Sequence, residues 1–102
     1  MYVATNRLFV PPERAEEFEA KFTGNMRQYL PGVPGLRRST LLRPSEEGQP
    51  YLSVNEFDSE QDFRNWVQSD SFRESHRSNA ELSRHVEGNA VETFEPLEDL
   101  VL

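Results

Sequence analysis

Three side chains in this sequence are out of keeping with their surroundings, and each could do chemistry. Asn6 sits in the middle of Tyr2–Val10, where Tyr2, Ala4, Leu8 and Val10 alternate on one apolar face and Asn6 falls on that same face. A carboxamide there must find hydrogen bonds or line a cavity, because burying it unpaired costs about 1–3 kcal/mol. His76 follows Phe72 by one helical turn on what reads as an inward face. A neutral imidazole so placed is either a hydrogen-bonded core residue or a metal ligand. The chain has no cysteine, so a haem iron would need His, Tyr or Met, and imidazole is the common choice. Trp66 is the single tryptophan, which in a small domain ordinarily anchors the core. Ten residues of unbroken helix would set Trp66 and His76 about 15 Å apart on different faces. The helix-breaking run Ser69-Asp70-Ser71 lies between them and can fold both around one hollow.

Other candidates are weaker. His85 lies among Arg84, Glu87 and Gly88 and reads as a solvated loop residue. Glu13, Glu16 and Glu17 gather at a helix start, where the dipole favours negative charge, and do not form a catalytic pair. The two histidines lack zinc-ligand spacing. Gly32 and Gly35 lack the third glycine and following helix of a dinucleotide fingerprint, and no flavin or nicotinamide signature occurs.

The elements that must hold these residues follow from periodicity. After the strand Tyr2–Val10, Pro11 and Pro12 lead into a helix reaching Tyr29, with Ala15, Phe18, Phe22, Met26 and Tyr29 on one stripe. Pro31 to Gly35 turn the chain, and Leu36–Arg43 and Pro50–Phe57 form a hairpin. Ser59 with Asp62 has capping-box spacing before a helix that buries Phe63, Trp66 and Val67. A third helical piece carries Phe72, His76 and Ala80. Glu87-Gly88-Asn89 reads as a turn before a last strand, Ala90–Phe94. The order predicts an α+β, ferredoxin-like split βαβ fold: one antiparallel sheet with helices on one side. The other sheet face needs a cover, and a second subunit is the simplest.

Composition sets the bounds. The 102 residues support a single domain, 1–102. A net charge of −7 argues against nucleic acid and anionic membranes as partners. No apolar run is long enough to span a bilayer and no signal pattern opens the chain. With no cysteine, a reducing cytoplasm is the expected setting.

Taken with their neighbours, these residues resemble a known group. Asn6-Arg7-Leu8, the string Phe63-x-x-Trp66-x-x-Ser69-Asp70-x-Phe72-x-x-x-His76 and the strand Leu52–Phe57 are similar to the IsdG-type haem-degrading monooxygenases of the antibiotic biosynthesis monooxygenase (ABM) superfamily, over roughly residues 2 to 95. The resemblance implies a homodimer whose sheets close into a dimeric α+β barrel, each subunit holding haem between its helices and its sheet. It implies a catalytic set of Asn6, Trp66 and His76. It also implies that His76 ligates the haem iron and that Lys21, Phe22, Phe63 and Phe72 border the haem. The chain departs from the pattern with Ser75 before the ligand histidine, where alanine is usual, and with two prolines between Pro31 and Gly35. Haem would then be both substrate and oxygen-activating group, with electrons from an external donor or reductase. Trp66 would hold the porphyrin out of plane, so that oxidation falls on the ring. Three other readings stay open: a cofactor-free ABM monooxygenase acting on a small aromatic or quinone, a non-catalytic haem-binding or haem-shuttling protein, and a plain dimeric structural or ligand-sensing domain in which Asn6, Trp66 and His76 are all core.

Overall fold

The computed structural model of the protein describes residues 1–78 and 88–102. β1 (Tyr2–Phe9) is followed by a 3-10 turn (Pro12–Arg14), α1 (Ala15–Tyr29), β2 (Leu36–Leu42), β3 (Tyr51–Phe57), α2 (Glu60–Val67), α3 (Asp70–Ser78) and β4 (Gly88–Phe94). The strands form one antiparallel sheet in the order β2-β3-β1-β4. This is the expected α+β, ferredoxin-like topology.

One expected element is placed differently. The residues read as a turn at Gly88-Asn89 belong to β4, with Gly88 opposite Phe9 and Asn89 opposite Leu8. Turn residue types were outweighed here by pairing with β1, whose full length offers partners for the backbone N–H and C=O groups. Ala80 and His85 lie outside the described residues.

The register arranges the helix-facing side of the sheet in rows. Tyr2, Phe57 and Leu36 make one; Ala4, Asn55 and Ser39 the next; then Val91, Asn6, Ser53 and Leu41; then Leu8 and Tyr51. α1 covers the last row. Its apolar stripe brings down Phe18, which is fully buried against Tyr51 at 4.9 Å and Phe22 at 5.4 Å between ring centres. Burying one such ring is worth about 1.5–3 kcal/mol. The same contact is locked at its edge. The Tyr51 hydroxyl donates to Glu19 Oε2 at 2.5 Å, and Arg43 donates to both Glu19 oxygens at 2.9 and 2.6 Å. These bonds hold the Glu19 carboxyl down at about 2, while burial and Glu19 push the Tyr51 hydroxyl up to about 12.

At the other end, α2 begins with the expected cap: Ser59 Oγ accepts from the Asp62 backbone N–H at 3.2 Å. Gly35 lies close beneath this turn with φ +77°, and a Cβ there would stand 2.2 Å from Asp62 Cγ. Only glycine allows the chain to pass. Phe63 then packs on Phe57 and Tyr2 at 5.6 and 5.4 Å. The first and last rows are thus sealed by aromatic rings. The two middle rows, which carry Asn6, Ser53, Asn55 and Ser39, are not.

Candidate functional site

Over those middle rows lies a cleft of about 220 Å³, floored by the sheet and roofed by all three helices. Asn6, Trp66 and His76 all line it, as do Phe22, Phe63 and Phe72. The break between α2 and α3 makes this possible. Ser69 Oγ donates to the Trp66 carbonyl at 2.6 Å, ending α2, and accepts from the Phe72 N–H at 3.2 Å, capping α3. Ser71 Oγ donates to the Tyr29 carbonyl at 2.7 Å, fastening the start of α3 to the end of α1. Together these bonds fold α3 back over the sheet, so that Trp66 and His76 face one space.

A continuous run of rings builds the roof. Trp66 rests on Phe57 at 5.6 Å and meets Phe72 edge-on at 4.8 Å and 87°. Phe72 in turn stacks on His76, with ring centres 3.8 Å apart and planes 32° apart. His76 Nδ1 lies 3.0 Å from the Phe72 carbonyl oxygen, one turn back on α3. A carbonyl only accepts, so Nδ1 carries the proton, and in the neutral ring the lone pair is on Nε2. The imidazole is at the exposed rim of the cleft and not on a buried face, as its spacing after Phe72 had suggested. An apolar partner one turn away marks which side of a helix a residue shares, but not how deeply that side is covered.

Two side-chain atoms of cleft-lining residues are buried without a hydrogen-bond partner among the described residues: Asn6 Oδ1 and Trp66 Nε1. One is an acceptor and the other a donor. Buried polar atoms are nearly always paired, so two orphans on residues lining one hollow point to a bound group that satisfies them. No group of three His, Cys, Asp or Glu side chains that could hold a bare metal ion occurs among the described residues. A single accessible imidazole nitrogen suits an ion whose other ligands come with it, as in a haem.

Lys21, expected beside Phe22 at this site, does not line the cleft. One residue along α1 is a rotation of about 100°, which turns Lys21 away from Phe22 and toward Glu17, its ion-pair partner at 3.3 Å. The reading of the sequence also passed over Ser39, Ser53 and Asn55, which floor the cleft. The signal was present. Ser53 and Asn55 fall in phase with Tyr51 and Phe57 on the inward face of β3, the same anomaly that drew notice to Asn6.

Residues 1–78 match the antibiotic biosynthesis monooxygenase family. A heme oxygenase (staphylobilin-producing) of Staphylococcus saprophyticus is 38% identical over 77 residues, which span 74% of this chain and 73% of that protein. A heme-degrading monooxygenase of Listeria monocytogenes is 30% identical over 109 aligned positions, covering 93% and 90% of the two chains. Among solved structures, the heme-degrader MhuD of Mycobacterium tuberculosis, with two hemes bound in its active site, superposes with a TM-score of 0.80. That match runs over 99% of this chain and 100% of that one, at 22% identity. The chain belongs to the antibiotic biosynthesis monooxygenase family.

Proposed function

We propose that this protein is a haem-degrading monooxygenase that binds haem through His76, distorts it and oxidatively opens the porphyrin ring, releasing iron. The observation that carries this reading is the convergence of Asn6, Trp66 and His76 on one cleft, the first two each with an unpartnered buried polar atom. The relatives named as haem-degrading enzymes support it.

Each residue has a physical task. His76 offers Nε2 to the iron, because its Nδ1–H is held by the Phe72 carbonyl and its ring is backed by Phe72. Second-shell bonds of this kind fix the tautomer and raise ligand basicity. Trp66 is wedged between Phe57 and the edge of Phe72, so the indole is braced where it would press on a bound porphyrin. Asn6, on the sheet floor, offers a carboxamide on the side opposite the α3 imidazole, where dioxygen would bind. Dioxygen is activated on the haem itself, and the electrons come from an external donor.

No Asp, Glu, Lys or Arg side chain lines the cleft among the described residues. An unpaired buried carboxylate would cost several kcal/mol, so the haem propionates would be left at the open side of the cleft. The opposite sheet face favours a homodimer. Phe9, Leu42 and Phe94 on that face are 41%, 47% and 49% exposed, and a second copy laid sheet to sheet would cover them. The absence of cysteine fits work in a reducing cytoplasm.

Haemin titrated into the purified protein should give a shifted Soret band. Ascorbate or a reductase system in air should then bleach that band and release chelatable iron, with catalase giving no protection. A stable band under these conditions would reduce the protein to haem storage or shuttling. No band at all would remove haem from the account.

A further inference from the structure

Asn6 is not the sole carboxamide in the cleft. Asn55, on β3, lines it as well, together with Ser39 and Ser53. The Ser39 hydroxyl donates to Asn55 Oδ1 at 2.6 Å, which ties the oxygen corner of the carboxamide to β2. The Nδ2 corner is left as the donor of this cleft-lining side chain. Among the described residues Nδ2 has no partner. Asn55 stands opposite Ala4, and Asn6 opposite Ser53, so the two asparagines are diagonal neighbours on paired strands. Such pairs lie within about 7–8 Å at Cβ, a span that two carboxamides and one atom between them can fill.

The remaining chemistry narrows what that atom is. With no lysine or arginine lining the cleft among the described residues, the donors are neutral amides, hydroxyls, an indole and an imidazole, which suit a small, weakly charged acceptor better than a carboxylate. An acceptor oxygen entering the floor beside Asn6 would meet the Asn55 Nδ2 donor. Resting on the haem reading above, we infer that Asn55, oriented by Ser39, is a second hydrogen-bond donor to the diatomic ligand on the open face of the haem, acting beside Asn6.

The test uses haemin-loaded full-length protein and two probes that need no turnover: azide bound to the ferric form and carbon monoxide bound to the ferrous form. Asn55→Leu keeps the shape of the side chain and removes its donor. It should weaken azide binding about three- to tenfold, the loss of one neutral hydrogen bond. It should also raise the C–O stretching frequency, while haemin uptake changes less than about twofold. Ser39→Ala, which keeps Asn55 but frees its carboxamide to turn, should split or broaden the C–O band, and it serves alone if Asn55→Leu does not fold. Unchanged azide affinity and C–O frequency in both variants, with haemin uptake intact, would overturn the inference and leave the haem reading standing. Failure of the parent protein to take up haemin would sink the haem reading instead. The floor is then tested in the ligand-free protein, where Asn55→Leu or Ser39→Ala must shift the Asn6 side-chain amide signals in NMR because the two carboxamides are diagonal neighbours on one floor. Unmoved signals would overturn the pairing.

Discussion

Replacing Asn6 with leucine should make the ligand-free protein more stable while destroying its use. Asn6 Oδ1 is buried with no partner, and an unsatisfied buried acceptor costs about 1–3 kcal/mol. Leucine has nearly the same shape, adds apolar contact against Val91 and the roof of rings, and removes the orphan. Allowing for the loss of the amide nitrogen as a donor, the net gain should be about 1–2 kcal/mol. Unfolding entropy near 2.1 cal/mol/K per residue gives a 102-residue chain about 0.2 kcal/mol/K, so Tm should rise by roughly 5–10 °C. The assay is thermal unfolding by circular dichroism near pH 7, without and with haemin. Ligand present at a hundred times its Kd adds about 2.7 kcal/mol to a protein that binds it only when folded. The variant should gain less than the parent from haemin, having lost a polar partner for the bound group. A ligand-free Asn6→Leu protein that melts several degrees below the parent would refute the reasoning, because it would show that the carboxamide is already satisfied by the fold.

Four further outcomes follow from the same geometry. His76→Ala should abolish the shifted Soret band yet leave the ligand-free Tm within about 2 °C of the parent, since the exposed ring touches little besides Phe72. Glu19, held at about 2 against an ordinary 4.5, contributes stability that is full above 4.5 and fades as pH falls toward 2. Solvent screening at the 73% exposed Arg43 side chain limits this to about 1 kcal/mol, and urea midpoints of parent and Glu19→Gln should converge across that acid window. Gly35→Ala, with φ +77° and a Cβ 2.2 Å from Asp62 Cγ, should destabilise by about 1–3 kcal/mol, read as a lower urea midpoint, and should perturb Trp66 fluorescence because α2 must shift. Phe94→Lys, on the uncovered sheet face, should drive the sedimentation coefficient toward that of a monomer; a parent protein that is already monomeric at high micromolar concentration would remove the dimer from the account.

Much of this architecture was legible from periodicity. The stripe Ala15, Phe18, Phe22, Met26 and Tyr29 fixed both the extent of α1 and the side it buries, because a helix of that length has one apolar face and one place to put it. The Ser59 and Ser69 caps set the two boundaries of α2 through local side-chain chemistry, which needs no knowledge of the rest of the fold. The start of β4 was not legible. Gly88 and Asn89 have the local preferences of a turn, and only pairing with Phe9 and Leu8, far away in sequence, extends the strand through them. The same division runs through the site. Asn6 betrayed itself by breaking an apolar alternation. Ser53 and Asn55 broke one too, but their significance depends on Ser39 arriving beside them on β2, a matter of register between strands. The exposure of His76 depends on how far α3 tilts over the sheet, which tertiary bonds such as Ser71 to Tyr29 decide.

The order of rows on the sheet explains why the cleft persists. A chain of 102 residues has few large side chains to spend on burial, and here the aromatic rings concentrate at the two ends of the helix-facing surface, around Phe18 with Tyr51 and around Phe57 with Phe63. Collapse of α2 and α3 onto the middle rows would press apolar ring surface of Trp66 and Phe72 against Asn6, Ser53 and Asn55, and the Phe72 ring offers these polar groups no hydrogen bond. The opening is therefore maintained by chemistry as well as by geometry. Its floor repels the roof that would otherwise close it, and the ring contacts from Phe57 through Trp66 to Phe72 brace the roof from above. A flat ligand with a polar group at its centre and apolar surface around it relieves both constraints together. Polishing the floor with apolar residues at Ser53 and Asn55 would let the roof settle, so that the most stable version of this fold is one with no cleft.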